Sequence, residues 1–383
     1  DEFATWSALA ERFGSRWPNW PEEYRRPGEP EVARFRNDQL HRVKFHAWLQ
    51  WLAGRQLDAA ATDLAIIQDL AIGVDPNGAD AWAWQDLFAS GVSIGAPPDE
   101  FNSQGQNWSL PPFIPWKLAE VGYQPFIDTI RASLAPGGGL RLDHVMGLFR
   151  LWWIPQDAGP DEGAYVRYPD EDLLNIVALE SHRAGAVVVG EDLGTVEKGV
   201  REVLAERNML SYRLLWFEED PPSKWPGLAL GAITTHDLPT VAGMWTGADL
   251  EEQRRLGLKP SDGGTEAIRK RLAEQGKLDA DATPEQAVEG AYRLLATSPS
   301  VLLAATLDDA LGVPERPNIP GTDGTRANWS MALPLLLEAV EEAPLPQKVA
   351  GILREATALD RALFDETGRS AAGHSLRHEA GPG

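Results

Sequence analysis

Residues 186–194 read AVVVGEDLG: a short run with three consecutive valines passes through Gly190 into Glu191 and then a turn. Two other stretches repeat this plan. Residues 140–148, LRLDHVMGL, carry an apolar segment into Asp143, and residues 232–240, AITTHDLPT, carry one into Asp237. Comparable apolar runs, too short for helices and rich in Val, Ile and Leu, occupy 64–67, 213–217, 229–234 and 301–307. A weaker one, Leu140 to Val145, follows the turn Gly137-Gly138-Gly139. Helical stretches lie between most of them, at 120–134, 171–184, 195–207 and 284–296. Short continuous apolar strands alternating with helices predict a parallel sheet covered on both faces. A carboxylate is costly to bury, so three of them capping such strands need a reason. The carboxyl ends of the strands form the active-site face of α/β barrels, which supplies one.

Outward from these strands the character changes. Residues 1–63 read as helical: Leu40, Val43, Phe45, Trp48, Leu49 and Leu52 recur at the spacing of an amphipathic helix. Turn signals at Trp17-Pro18 and Trp20-Pro21 separate it from an earlier helix around 4–13. Six strand runs are visible, where a closed barrel needs eight.

Composition narrows the chemistry. The formal charge of −22 and the lack of a basic patch speak against nucleic acid as a partner. The chain has no cysteine, which removes disulfides, thiolate nucleophiles and Cys-based zinc sites. No apolar run reaches the roughly 18 residues of a membrane span, and the opening DEFATWSALAERF lacks the features of a signal peptide. The cytoplasm is the expected compartment, with no membrane partner, no metal and no cofactor. The 15 tryptophans are expected mostly in the core, with a minority serving as stacking platforms for sugars.

The pattern of acidic residues fits cleavage of a glycosidic bond. Retention needs a carboxylate nucleophile and a carboxylic acid roughly 5–5.5 Å apart, on opposite sides of the anomeric carbon. The acid must stay protonated near neutrality, through burial or a neighbouring negative charge. Arg141, two residues before Asp143, shares its face of the strand and favours an ionised carboxylate there. Capping of the following loops is the competing explanation for any one of these acids. Three together, with His144 and His236 adjacent to two of them, favour a site.

RLDHVMG, VVVGEDLG and ITTHDLPT resemble the three catalytic-strand motifs of the 4-α-glucanotransferases, or amylomaltases, of the α-amylase clan. GAPPDEFNSQGQNWSLPP at 95–112 resembles that family's substrate-binding loop, and RPNIPGT at 316–322 its Asn-x-Pro-Gly-Thr motif. The five occur in the family's order, and the likeness extends to about residue 345. The resemblance implies Asp143 as nucleophile, Glu191 as general acid/base and Asp237 as transition-state stabiliser. It further implies that Arg141, His144, His236, Asn318, Asp99, Gln106 and Trp108 bind an α-1,4-glucan or maltooligosaccharide. Ser109, where many members have Gly, and Ala327 before Asn328-Trp329, where Pro is usual, depart from the pattern. The implied fold is a (β/α)8 TIM-type barrel with helical insertions, lacking its first two strands, so that the chain is expected to be N-terminally incomplete. Its expected parts are a helical insertion subdomain at 1–63, a barrel at 64–345 with a further helical insertion near 250–297, and a C-terminal helix and tail at 346–383.

Three other readings compete. A metal-dependent hydrolase could use Asp143-His144 and His236-Asp237 as ligands, although such motifs usually ride on helices. An α-glucan hydrolase of the same clan shares the intermediate, and no residue here decides between sugar and water as acceptor. An inactive glucan-binding fragment is the third. Oligomeric state is not encoded in any pattern found.

Overall fold

A computed structural model describes residues 2–98, 105–194, 196–322 and 324–367, with side chains described to residue 356. The chain divides into two compact units, Asp1–Ser211 and Tyr212–Gly383. Strands are numbered in chain order: β1 (Ile67–Leu70), β2 (Val92–Ala96), β3 (Gln106–Leu110), β4 (Gly139–Leu142), β5 (Arg150–Pro155), β6 (Ala164–Arg167), β7 (Val187–Gly190), β8 (Leu210–Leu214), β9 (Ala229–Ala232) and β10 (Leu302–Leu303).

In the first unit β1, β4, β7 and the start of β8 lie side by side and parallel. The register is continuous, with Leu70 opposite Leu142 and Leu142 opposite Gly190. β1 falls three residues later than the apolar run 64–67: Leu64 is exposed and the strand itself is IQDL. Apolar content alone therefore misplaces it. The turn before β4 explains its glycines. Gly138 sits at φ +86°, and a Cβ there would lie 2.4 Å from the Ile66 carbonyl oxygen, so a side chain at this position would push β1 away from β4. Leu140, Leu142 and Val188 pack with Ile130, Leu174 and Val177 from the flanking helices Gln124–Leu134 and Asp170–Ala184.

A second sheet, antiparallel and in the order β3-β2-β5-β6, is one that the sequence pattern does not reveal. Its strands QNWSL and RLWWIP lack the unbroken aliphatic runs that betray buried parallel strands. The segment 95–112, expected as a loop, is in part β2 and β3; Asp99 and the residues to 104 lie outside the described residues. The helices Glu2–Phe13, Pro30–Asp38 and Leu40–Ala60 gather around Trp20 and Trp82. The last of these is helical as its periodicity predicts, yet only Val43 of it is buried, while Phe45, Trp48 and Leu49 are exposed. Periodicity reports the helix and not what covers its face.

In the second unit the rest of β8 is followed by β9 and β10 in sheet order. Counting β8 once, six parallel strands are present among the described residues, the number read from the sequence. The run 301–307 shrinks to two strand residues, because Thr306 caps a helix Leu307–Ala310, its Oγ1 accepting from Asp309 N at 3.1 Å. Helices Asp262–Gly276, Pro284–Leu295 and Pro344–Thr367 bury Trp216, Trp225, Trp245 and Tyr292. Trp20, Trp82, Trp216, Trp225 and Trp245 are buried, and Trp6, Trp17, Trp108 and Trp153 pack half-buried against the apolar clusters, so most of the 15 tryptophans belong to the core, as expected. No helix among the described residues is long and apolar enough to cross a membrane.

Candidate active site

Asp143 and Glu191 each follow the last residue of a parallel strand, β4 and β7, at the same level of the register. Backbone bonds lock this level: Asp143 N donates to Leu70 O at 3.0 Å, Glu191 N to Leu142 O at 2.9 Å, and Val145 N to Glu191 O at 3.0 Å. Neighbouring parallel strands are ~4.8 Å apart, so side chains leaving them together sit within a few ångströms of one another.

Their environments differ. Asp143 has a side chain 37% exposed, and the Arg141 guanidinium lies 3.0 Å from its Oδ1. Glu191 is 9% exposed. Its Oε2 accepts from His144 N and its Oε1 from Leu193 N, both at 2.8 Å. Burial is the strongest influence on its carboxyl and raises the pKa, with the Asp143 charge adding to it. The Leu193 and His144 amides and Arg141 pull the other way, and the balance leaves Glu191 pushed up from 4.5 to about 7. A buried carboxyl that holds a proton near neutrality, beside a half-buried carboxylate matched to a guanidinium, is the division of labour that acid and nucleophile require.

Arg141 reaches further, its Nη1 lying 2.5 Å from Asp69 Oδ1 in β1. Burial lowers the pKa of Arg141, but Asp143, Asp69 and Glu191 together outweigh it and leave it raised. His144 adopts φ +46°, and its amide donates to Glu191 Oε2. Burial pushes its imidazole pKa down to about 4, so the ring is neutral at physiological pH. Trp108 packs edge-on against it with centroids 5.3 Å apart, and donates from Nε1 to Gln106 Oε1 at 3.0 Å. Ser109 sits at φ +58°, with its amide held by Asn107 Oδ1 at 2.8 Å. Glycine adopts that backbone conformation without strain, whereas Ser109 holds it against steric cost.

In the second unit Asp237 follows β9 by five residues. Asn318 Nδ2 donates to its Oδ1 at 2.7 Å, and His236 Nε2 lies 3.4 Å from its Oδ2. Asn318 N also donates to His236 O at 3.1 Å. Trp329, 65% exposed, leans against the His236 ring at 4.8 Å.

The structure thus groups Arg141, Asp143, His144, Glu191, Gln106 and Trp108 in the first unit, and His236, Asp237 and Asn318 in the second. Asp99 lies outside the described residues. Sequence reading missed Asp69, Asp192 and Arg316. Asp192, fully buried, accepts from Arg201 Nε at 2.7 Å and Ser211 Oγ at 2.8 Å. Its position beside Glu191 was the available signal. Asp69 lies inside β1, behind Gln68 and exposed, so it carries no such signal. Among the described residues no three His, Cys, Asp or Glu side chains gather as a metal-binding group.

Acidic side chains at the carboxyl ends of parallel strands, with helices between, define an α/β protein of the TIM type. Residues 1–337 match the sequence profile of the 4-alpha-glucanotransferase family, and the chain belongs to that family. The 4-alpha-glucanotransferase of Mycobacterium tuberculosis is 45% identical over 93% of this chain and 54% of its own length. That of Haemophilus influenzae is 35% identical over 85% and 51%. The amylomaltase structure from Corynebacterium glutamicum superposes with a TM-score of 0.78 at 35% identity, covering 92% of this chain and 54% of its own. The fold is also similar to an amylomaltase from Streptococcus agalactiae in complex with acarbose (TM-score 0.74, 20% identity, 94% of this chain and 72% of that one). The chain spans about half the length of the curated relatives it matches.

Proposed function

We propose that the protein is a retaining 4-α-glucanotransferase, moving segments of α-1,4-glucans such as maltooligosaccharides, starch or glycogen onto a glucose or glucan acceptor. The observation that carries this reading is the contrast between Glu191, buried with its pKa pushed up to about 7, and Asp143, half-buried and paired with Arg141, at the ends of adjacent strands. In the first step an Asp143 carboxylate oxygen attacks the anomeric carbon while Glu191 gives its proton to the departing glycosidic oxygen. The C1–O4 bond breaks and a glucosyl ester forms. In the second step the Glu191 carboxylate takes the proton from an acceptor 4-hydroxyl, whose oxygen displaces Asp143 and restores the α configuration. Asp237, oriented by Asn318 and His236, is assigned the third carboxylate's part: it holds sugar hydroxyls and favours the oxocarbenium-like transition state.

His144, neutral, contributes a fixed hydrogen-bonding imidazole rather than a charge. Gln106, Trp108 and Asp99 are assigned to the acceptor side, where an indole face can stack on a sugar ring. Barrel closure in this reading uses two strands besides the six described, since a closed barrel has eight. Incubation with maltotriose tests the proposal. A ladder of longer and shorter oligomers together with glucose supports transfer. Maltose and glucose alone would make the protein a hydrolase, and no product at all would leave it a glucan-binding chain.

A further inference from the structure

The helix Ala248–Arg255 buries no apolar side chain; its one buried residue is Asp249. Asp249 pairs with Arg316, both nearly inaccessible at 4% and 6% exposure. Arg316 Nη2 donates to Asp249 Oδ2 at 3.1 Å, and Nε lies 2.8 Å from Oδ1 out of line for a hydrogen bond, a contact of charges. The remaining nitrogen, Nη1, donates to the main-chain carbonyl of Asp237 at 2.6 Å. One turn along the helix, Glu252 Oε1 holds Arg326 Nε at 2.9 Å. Arg326 in turn donates through Nη2 to Arg316 O at 2.7 Å and through Nη1 to Asn328 Oδ1 at 2.8 Å. Asn328 Oδ1 also accepts from Ile319 N at 3.2 Å. Two buried arginines thus tie one acidic helix face to the segment 316–319, and that segment grips Asp237 twice, at its carbonyl through Arg316 and at its carboxylate through Asn318.

Buried ion pairs are no more stabilising than apolar residues of similar volume. Packing therefore gives no reason to keep two of them under one short helix. A planar guanidinium does give one: hydrogen-bonded to Asp249 through Nη2 and held against the same carboxylate by charge at Nε, it fixes the position of whatever its third nitrogen holds.

We propose that Arg316 and Arg326, with Asp249 and Glu252 behind them, are positioning residues that set the orientation of the Asp237 carboxylate for the transition state. The assignment of Asp237 rests on the reading under Proposed function; the clamp itself rests on the contacts alone. Misplacing a transition-state group by about 1 Å costs on the order of 100-fold in rate. R316K keeps the charge and loses the planar guanidinium that joins Asp249 to the Asp237 carbonyl, so in the full-length protein it is expected to lower kcat on maltotriose by roughly 10–100-fold with KM little changed. In a D237N background the same change should cost less than about threefold, since contacts acting through one group are not additive. E252Q, one contact further back, should show a smaller loss with the same dependence on Asp237, and it serves if R316K folds poorly. Hydrogen exchange of the 233–240 peptide, which needs no activity, should speed up in both variants. Equal losses in the parent and D237N backgrounds, or unchanged exchange in both variants, would overturn the proposal. A parent that makes no product from maltotriose, with exchange still responding, would instead remove the transferase reading and leave the clamp standing.

Discussion

Replacing Glu191 by Gln removes a titrating group while keeping its shape, and the consequence for stability follows from the burial of that carboxyl. Its pKa in the folded protein is raised from 4.5 to about 7, burial being the main cause. Below pH 4.5 the carboxyl is protonated whether the chain is folded or not, and it makes no pH-dependent contribution. As pH rises from 4.5 to 7 the unfolded chain releases the proton and the folded one retains it, so stability falls. The loss levels off above pH 7 at about 3 kcal/mol, from ~1.4 kcal/mol per pH unit. The carboxamide of the E191Q variant has no proton to release and escapes this loss. It carries a different cost: Glu191 accepts from two backbone amides, His144 N and Leu193 N, and a carboxamide oxygen can serve only one of them. That defect costs about 1–3 kcal/mol, but it is the same at every pH and shifts the whole curve without tilting it. The measurable quantity is therefore the difference in unfolding free energy, E191Q minus parent, across pH. Urea unfolding followed by tryptophan fluorescence and circular dichroism, at intervals from pH 4.5 to 8, should show that difference climbing by about 3 kcal/mol in favour of the variant. A difference that stays flat within about 1 kcal/mol would mean that Glu191 titrates like a surface carboxylate. The division of roles with Asp143 would then lose its physical basis.

The same proton governs rate: kcat/KM for maltotriose should fall about tenfold between pH 6 and pH 8 as Glu191 loses it, and a profile rising over that range would contradict the acid role. Because fluoride leaves without a proton, E191Q should retain far more of its first-step rate on α-glucosyl fluoride than on maltotriose, where a loss of about 10²–10⁴ is expected. A fluorinated glucosyl donor followed by peptide mapping should label Asp143; a label on Asp237 would exchange their roles. W108A, which strips the indole from His144, should raise the ratio of hydrolysis to transfer in product analysis, while an equal fall in both rates would reduce Trp108 to a binding contact.

How much of this was legible in the sequence depended on what each residue had to satisfy. Strands β7 and β9 were readable because a parallel strand covered on both faces is apolar throughout, and β4, interrupted by Arg141, because a carboxylate ending such a run stands out. β1 was displaced because half of IQDL is polar, and β10 was lengthened because a helix cap at Thr306 interrupts its apolar run. The antiparallel sheet escaped notice for a related reason. Its strands are only partly buried and owe their pairing to partners distant in sequence, such as Ile94 opposite Trp153. The helix Leu40–Ala60 shows the complementary error, since its period is evident but its exposed Trp48 and Trp51 depend on what lies against them, which no local pattern states.

In the site, the legible residues are those whose own chemistry is unusual for their place, and the illegible ones act through geometry. Asp143, Glu191 and Asp237 announce themselves as charges where charges are expensive. Asp69, exposed within β1, gives no such sign, and its meaning appears only when β1 and β4 pair and its carboxylate meets Arg141 across the register. Arg316 stands two residues before Asn318 in a motif quoted for its asparagine, and nothing in RPNIPGT says that the arginine reaches back 79 positions to the carbonyl of Asp237. Nothing in the polar stretch ADLEEQRR singles out Asp249 and Glu252; the fold sets them against two guanidinium groups. Groups that must titrate or carry charge at a reacting centre constrain residue type, and type is written in the sequence. Groups that hold others in place constrain distance, and distance exists only after folding.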